Sequence, residues 1–137
     1  MGRVALIVLD THVWIWWVAS PDRLSPAAEL AISSAIDAGG RISVSSISCW
    51  EIGLLVKKGR LRLTSSTAEW VARATGLPFL HFVPVDNQIA LRSIELPGEL
   101  HDDPADRLIV ATALGLGLPL VTKDRRLHEY PHVSTVW

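Results

Sequence analysis

The stretch "VALIVLD", residues 4–10, constrains this chain more than any other. Six consecutive apolar residues are far too few to cross a membrane, and they lack the polar alternation of a half-exposed strand. Such a run reads as a strand buried on both faces, the pattern of a parallel sheet with helices on each side. "THVWIWWVAS" follows at once with helical spacing, and Thr11 is placed to cap it. The chain therefore opens as strand then helix.

The alternation continues. "SPAAELAISSAIDAGG" reads as a helix started by Ser25 and Pro26 and stopped at Gly39-Gly40. "RISVSS" is a second strand and "SISCWEIGLLVKKG" a third helix. "SSTAEWVARATG" carries a Ser66-to-Glu69 capping box. "FLHFVPV" is a short strand, and "DNQIALRSIEL" a helix capped by Asp86. "LPGELHDD" is a loop, "PADRLIVATALGLG" a helix, "LPLVT" a strand and "VSTVW" a last strand. Strands alternating with helices imply right-handed crossovers and a parallel sheet. With no repeat or long linker, one α/β domain over 1–137 is expected.

Apolar residues at 49% against 20% charged place the chain among ordered, core-forming proteins. A net charge of −1 gives no whole-molecule attraction to a polyanion, so such a ligand needs a metal or a local basic patch. Two clusters are available: Lys57, Lys58, Arg60 and Arg62, then Lys123, Arg125 and Arg126. The single cysteine, Cys49, excludes an internal disulfide and a cysteine-based zinc site. A reducing, cytoplasmic setting is expected, with no membrane span and no secretory leader. Trp14, Trp16 and Trp17 cannot share one face of a helix. Either that helix is buried on several sides, or part of its surface is kept for a partner or a second copy.

Ligands of an open parallel sheet bind beyond the carboxyl ends of its strands. Asp10 is the first residue after strand one, and Asp124 follows "LPLVT". Glu51 lies early in the helix after strand two. Asp103 and Asp106 open the helix that leads into "LPLVT", so they belong at the same edge. Each acid has an ordinary alternative. Asp10 and Asp103 can cap helices, Glu51 completes a capping box with Ser48, and Asp124 can start a turn. Capping, however, does not require four separate segments to deliver acids to one edge. Two carboxylates about 5 Å apart repel by roughly 3 kcal/mol at an effective dielectric near 20, so the cluster calls for a cation. Oxygen donors without cysteine suit a hard ion, Mg²⁺ or Mn²⁺, which can polarise a phosphoryl oxygen and supply hydroxide.

Rival chemistries fit less well. There is no glycine-rich phosphate loop and no Walker lysine. An aspartate-nucleophile phosphatase requires a second Asp where this chain has His12. A receiver-type signalling domain requires an acidic pair after strand one and an Asp after a middle strand, where the chain has Ser45-Ser46. His12, His101 and His128 are candidate ligands, although lone histidines near helix ends are more often ordinary polar contacts.

Four stretches in order, "LDTHVWIW", "SSISCWEIGLLVKKGRL", "HDDPADRLIVATA" and "LPLVTKDRRLHEY", then "VSTVW", resemble the PIN-domain ribonucleases, and among them the VapC toxins of VapBC toxin–antitoxin pairs. The likeness runs essentially end to end. It implies a sheet ordered 3-2-1-4-5 with helices on both faces, and Mg²⁺-dependent hydrolysis of RNA phosphodiesters. It implies an acidic quartet of Asp10, Glu51, Asp106 and Asp124 around one or two ions, with Mn²⁺ a plausible substitute. Asp10 and Asp106 would bind the metal directly; Glu51 and Asp124 would act through water or a second ion. Asp103 would cap, Thr11 and Thr122 would orient carboxylates or water, and Arg107 would order the acids or reach phosphate. A homodimer and a VapB-type antitoxin are the implied partners. A non-catalytic binding module of the same fold is the alternative, and the complete acidic set speaks against it. Ala105 departs from the aromatic that many relatives carry there, which bears on packing or substrate contact.

Overall fold

The computed structural model describes residues 3–137. Strand β1 (Ala5–Leu9) lies at the centre of a five-stranded, all-parallel sheet, as its unbroken apolar run requires. β2 (Arg41–Ser45) and β4 (Leu120–Val121) flank it, and β3 (Leu80–Val83) and β5 (Thr135–Val136) form the edges, giving the order β3-β2-β1-β4-β5. Alternate β1 side chains serve opposite faces. Ile7 and Leu9 join one core with Trp14, Ile32 and Ile52, while Val8 joins another with Ile109, Leu120 and Leu127.

The helices are α1 (Thr11–Ala19), α2 (Pro26–Asp37), α3 (Ser46–Lys57), α4 (Thr67–Thr75), α5 (Asn87–Ile94), α6 (Pro104–Leu116) and α7 (Arg125–Glu129). A short 3-10 turn, Pro21–Arg23, joins α1 to α2. Most starts follow the expected caps: Ser25 Oγ accepts from Ala28 N, Ser66 from Glu69 N, and Asp86 from Ile89 N. Helix α6 stops at Gly117, whose φ of 68° is left-handed and costs glycine little.

Three local alternatives are decided. Of the two residues placed to cap α1, Asp10 does so, accepting from Thr11 N. Helix α3 begins at Ser46 under a Ser45 cap, so Ser48 lies inside the helix and makes no capping box with Glu51. Its hydroxyl bonds to Thr11 instead. Beyond Asp124 the chain forms a short helix, α7, rather than a turn.

The tryptophans resolve in favour of a helix covered on several sides. Trp14 is fully buried against Trp70 and Phe82, while half-buried Trp17 meets Phe79 and half-buried Trp16 meets Trp137. Among the described residues, no helix is long and apolar enough to cross a membrane.

Candidate active site

Every strand points its carboxyl end at one edge of the sheet, and there an open groove of about 470 Å³ is lined by Asp10, Glu51, Asp103, Asp106 and Asp124. His12, Trp16, Lys123 and Arg126 complete its walls. All four acids of the expected quartet are therefore brought together. β1 delivers Asp10, α3 delivers Glu51, the first turn of α6 delivers Asp106, and the turn after β4 delivers Asp124.

Asp10 is 8% exposed. Its Oδ1 accepts from Thr11 N at 2.8 Å, and its Oδ2 accepts from the Thr122 hydroxyl at 2.7 Å. Thr122 Oγ1 in turn accepts from Asp124 N at 3.0 Å, so one buried hydroxyl ties two of the acids to each other. Glu51 Oε1 accepts from Thr11 Oγ1. A threonine hydroxyl has one proton, so the 2.7 Å contact between Thr11 and Ser48 is one in which Ser48 donates. The chain Ser48 to Thr11 to Glu51 explains why Ser48 is not a cap: it is fully buried and belongs to this network.

On the other side of the groove, His101 Nε2 lies 2.7 Å from Asp106 Oδ2, and Asp103 Oδ1 caps α6 by accepting from Asp106 N. Asp124 caps α7 through Arg126 N at 2.9 Å, and Arg126 Nη2 reaches its Oδ2 at 3.0 Å. The same guanidinium nitrogen stands 3.5 Å from Asp106 Oδ2. Arg107 turns away from the groove. It donates to the carbonyls of Ser93 and Leu100 at 2.8 and 2.9 Å, pinning the loop before α6 to the end of α5. It supports the loop that carries His101; it does not reach a phosphate placed in the groove.

Burial, with mutual repulsion adding to it, raises the proton affinity of three of these acids. Burial pushes Asp10 up, the Thr122 bond opposes it, and Asp106 adds to the rise. Glu51 is raised to about 7, first by burial, against the Thr11 bond, and further by Asp10, Asp106 and Asp103. Asp106 is raised by burial, with His101 opposing and Asp103 and Asp124 adding. Asp124 differs. Burial favours its neutral form, but its bonds to Arg126 outweigh that and bring it below the ordinary value.

Three acids whose charged form is disfavoured share one groove, and a cation placed there would favour their carboxylate form. Ligand atoms of His101, Asp106 and Asp124 lie within 4.8 Å of one another, and the oxygen-rich set fits a hard divalent ion. His101 and Arg126, expected as an ordinary polar contact and as part of a basic cluster, instead bond to the acids. The signal for His101 was its place five residues before Asp106 in "HDDPAD"; nothing local marked Arg126. Glu99 and Asp102 are exposed loop residues, and His128 makes ordinary polar contacts with Thr122 O and Thr135 Oγ1. Ala105 is buried in the first turn of α6.

Residues 7–133 match the PIN domain family. The chain is 39% identical over 133 residues to Ribonuclease VapC22 of Mycobacterium tuberculosis, covering 96% of this chain and 98% of that protein. Its backbone is similar to VapBC2 of Rickettsia felis, solved bound to a promoter DNA fragment, with a TM-score of 0.67, 16% identity, and coverage of 95% of this chain and 96% of that one. It is also similar to FitAcB of Neisseria gonorrhoeae, with a TM-score of 0.62, 23% identity, and coverage of 95% and 96%.

Proposed function

The chain belongs to the PIN-domain family, and from that premise we propose that it is a metal-dependent endoribonuclease, the toxin of a toxin–antitoxin pair, with Asp10, Glu51, Asp106 and Asp124 as its active centre. The observation that carries the reading is the convergence of four acids from four separate segments on one groove, three of them with raised proton affinity. Mg²⁺ is the ion we assign, with Mn²⁺ able to replace it, because the donors are mostly carboxylate oxygens. When bound, the ion offsets phosphate charge, polarises the phosphoryl oxygen and lowers the pKa of a bound water.

The chain's own residues do the rest. Asp10 and Asp106 are the direct ligands. Thr122 and the Thr11 amide each hold one oxygen of Asp10 and so fix its orientation, as hydrogen-bonded outer partners of metal ligands do. His101 sets the orientation of Asp106 in the same way. Glu51 is held on the Ser48–Thr11 chain, and its proton affinity near neutrality suits taking a proton from the attacking water. The water oxygen bonds to phosphorus as the ester bond to the leaving sugar oxygen breaks, and the leaving oxygen takes a proton from solvent in the open groove. Asp124 is largely engaged by Arg126, which suits action through water.

Partners follow from the same reading. A VapB-type antitoxin is the proposed regulator, and a homodimer the proposed assembly. Leu91 and Ile94, exposed on α5, supply apolar surface for such contacts. A cytoplasmic setting agrees with an RNA substrate.

The test is cleavage of a random-sequence RNA pool by the purified protein with Mg²⁺ or Mn²⁺. Cleavage that vanishes with chelator and in Asp10→Asn is expected. Metal-independent cleavage, or full activity in Asp10→Asn, would overturn the reading.

A further inference from the structure

We infer, resting on the ribonuclease reading, that Trp16 together with Lys123 and Arg23 forms a nucleotide subsite beside the acidic centre. It stacks one base of single-stranded RNA and holds the adjoining phosphates.

The groove is electrically lopsided. Five carboxylates line it against two cationic side chains, one of which, Arg126, is already paired with Asp106 and Asp124, so the acids repel an RNA strand. Trp16, His12 and Lys123 line the same groove. Trp16 differs from the other tryptophans of α1. Trp14 is fully buried, and Trp17 packs on Phe79, whereas half-buried Trp16 borders the groove. Its ring is braced by Trp137, with centroids 5.8 Å apart, and by His12 at the same separation. A braced aromatic loses little freedom when a base stacks on it.

Two cations gather at this ring. The Arg23 guanidinium carbon lies 4.8 Å from the ring centroid, and the Lys123 ammonium 5.7 Å. Both residues are exposed. Among the described residues neither forms an ion pair with a carboxylate, although Lys123 stands next to Asp124 in sequence and borders an acid-rich groove. Each is therefore available to an incoming anion. An exposed cation–π contact near the outer limit of its range, as for Lys123, is weaker than a base–aromatic stack. A base thus displaces the ammonium from the ring, and the ammonium meets the phosphate that arrives with it. Stacking tolerates every base, so this subsite gives affinity and register, with selectivity only through stacking strength.

The experiment measures binding of a fluorescent random-sequence single-stranded RNA dodecamer, and of an abasic strand of equal length, in the Asp10→Asn background that does not cleave. Adding Trp16→Ala should weaken binding of the base-bearing strand about tenfold, equivalent to ~1.4 kcal/mol, and leave the abasic strand nearly unchanged. Trp16→Phe should restore most of the loss. Lys123→Ala, on an exposed side chain that folding does not need, should weaken both strands and lower the salt dependence by about one counterion. Binding of the base-bearing strand within twofold of the parent for Trp16→Ala, or equal losses on both strands, would overturn the subsite. So would Lys123→Ala without effect on salt dependence. The wild-type protein is assayed for cleavage of the same dodecamer in parallel. Cleavage with an unaffected Trp16→Ala variant removes the subsite alone, whereas absence of cleavage removes the ribonuclease reading and the subsite with it.

Discussion

Asp10 and Glu51 make up the inner half of the acidic cluster, and Asp106 and Asp124 the outer half, and the two are held by different chemistry. The inner acids are braced by neutral donors: Thr122 and a backbone amide on Asp10, Thr11 on Glu51. The outer acids are met by groups that carry or can carry charge: His101 on Asp106, and Arg126 on Asp124. Hydroxyls orient a carboxylate without neutralising it, so the inner half keeps its full demand for a cation. Arg126 partly supplies that demand in the outer half, which is why Asp124 alone has a lowered pKa. Asp106 stands between the two regimes, since burial outweighs His101 and its proton affinity still rises. Position explains the contrast: Asp10 is buried at the end of β1 with neutral donors around it, whereas the Arg126 side chain is 60% exposed and reaches Asp124 from α7.

The largest expected effect breaks the inner half. Asp10→Asn should lower RNA cleavage by more than the roughly 10- to 100-fold typical of losing an outer partner, with the fold retained by circular dichroism. Thr122→Val comes next. It keeps the shape but strips Asp10 Oδ2 and Asp124 N of their partner, and should weaken Mn²⁺ binding about 10- to 100-fold by calorimetry. An unchanged affinity would show that the hydroxyl does not position the ligand.

A smaller effect appears in pH dependence. Glu51 holds its proton up to about pH 7 in the folded chain, against an ordinary value of 4.5. The folded state therefore binds more protons between those values, and stability falls as pH rises through that window. The burial-raised values of Asp10 and Asp106 act in the same direction. The melting temperature of the metal-free protein should drop between pH 5 and 7, less so in Glu51→Gln. Mg²⁺ should restore more at pH 7.5 than at pH 5.5; an equal gain at both would sink the assignment. The smallest effect belongs to the outer half. Arg126→Ala removes an exposed competing cation and should tighten Mn²⁺ binding by up to about fivefold, the range of a surface ion pair. Weaker binding would mean that the guanidinium supports the site rather than competing for it.

Much of this was legible in the chain. "VALIVLD" determined a central strand because no half-exposed strand tolerates six apolar residues in a row, and alternating elements determined a parallel sheet. Asp103 was readable as a cap because an acid before Pro-x-Asp has one local use. The motifs around Asp10, Glu51, Asp106 and Asp124 pointed to one family and one sheet edge. The spacing of Ser48 to Glu51 mimics a capping box, and only the proximity of Thr11, 37 residues away, gives its hydroxyl a different partner. Arg107 sits beside Asp106 in sequence yet faces away, since adjacent positions on a helix are about 100° apart and its carbonyl partners lie behind α6.

Local periodicity and short spacings were enough for the fold class and for the helix starts at Ser25, Ser66, Asp86 and Asp103, while family-like motifs pointed to the acids. The tertiary structure alone decided which hydroxyl serves which carboxylate, that His101 and Arg126 join the outer acids, and that Trp16 borders the groove while Trp14 fills the core. Those outcomes turn on burial and on contacts between segments up to 112 residues apart, as in Thr122 and Asp10, where a buried polar group takes whichever partner the packing brings within reach.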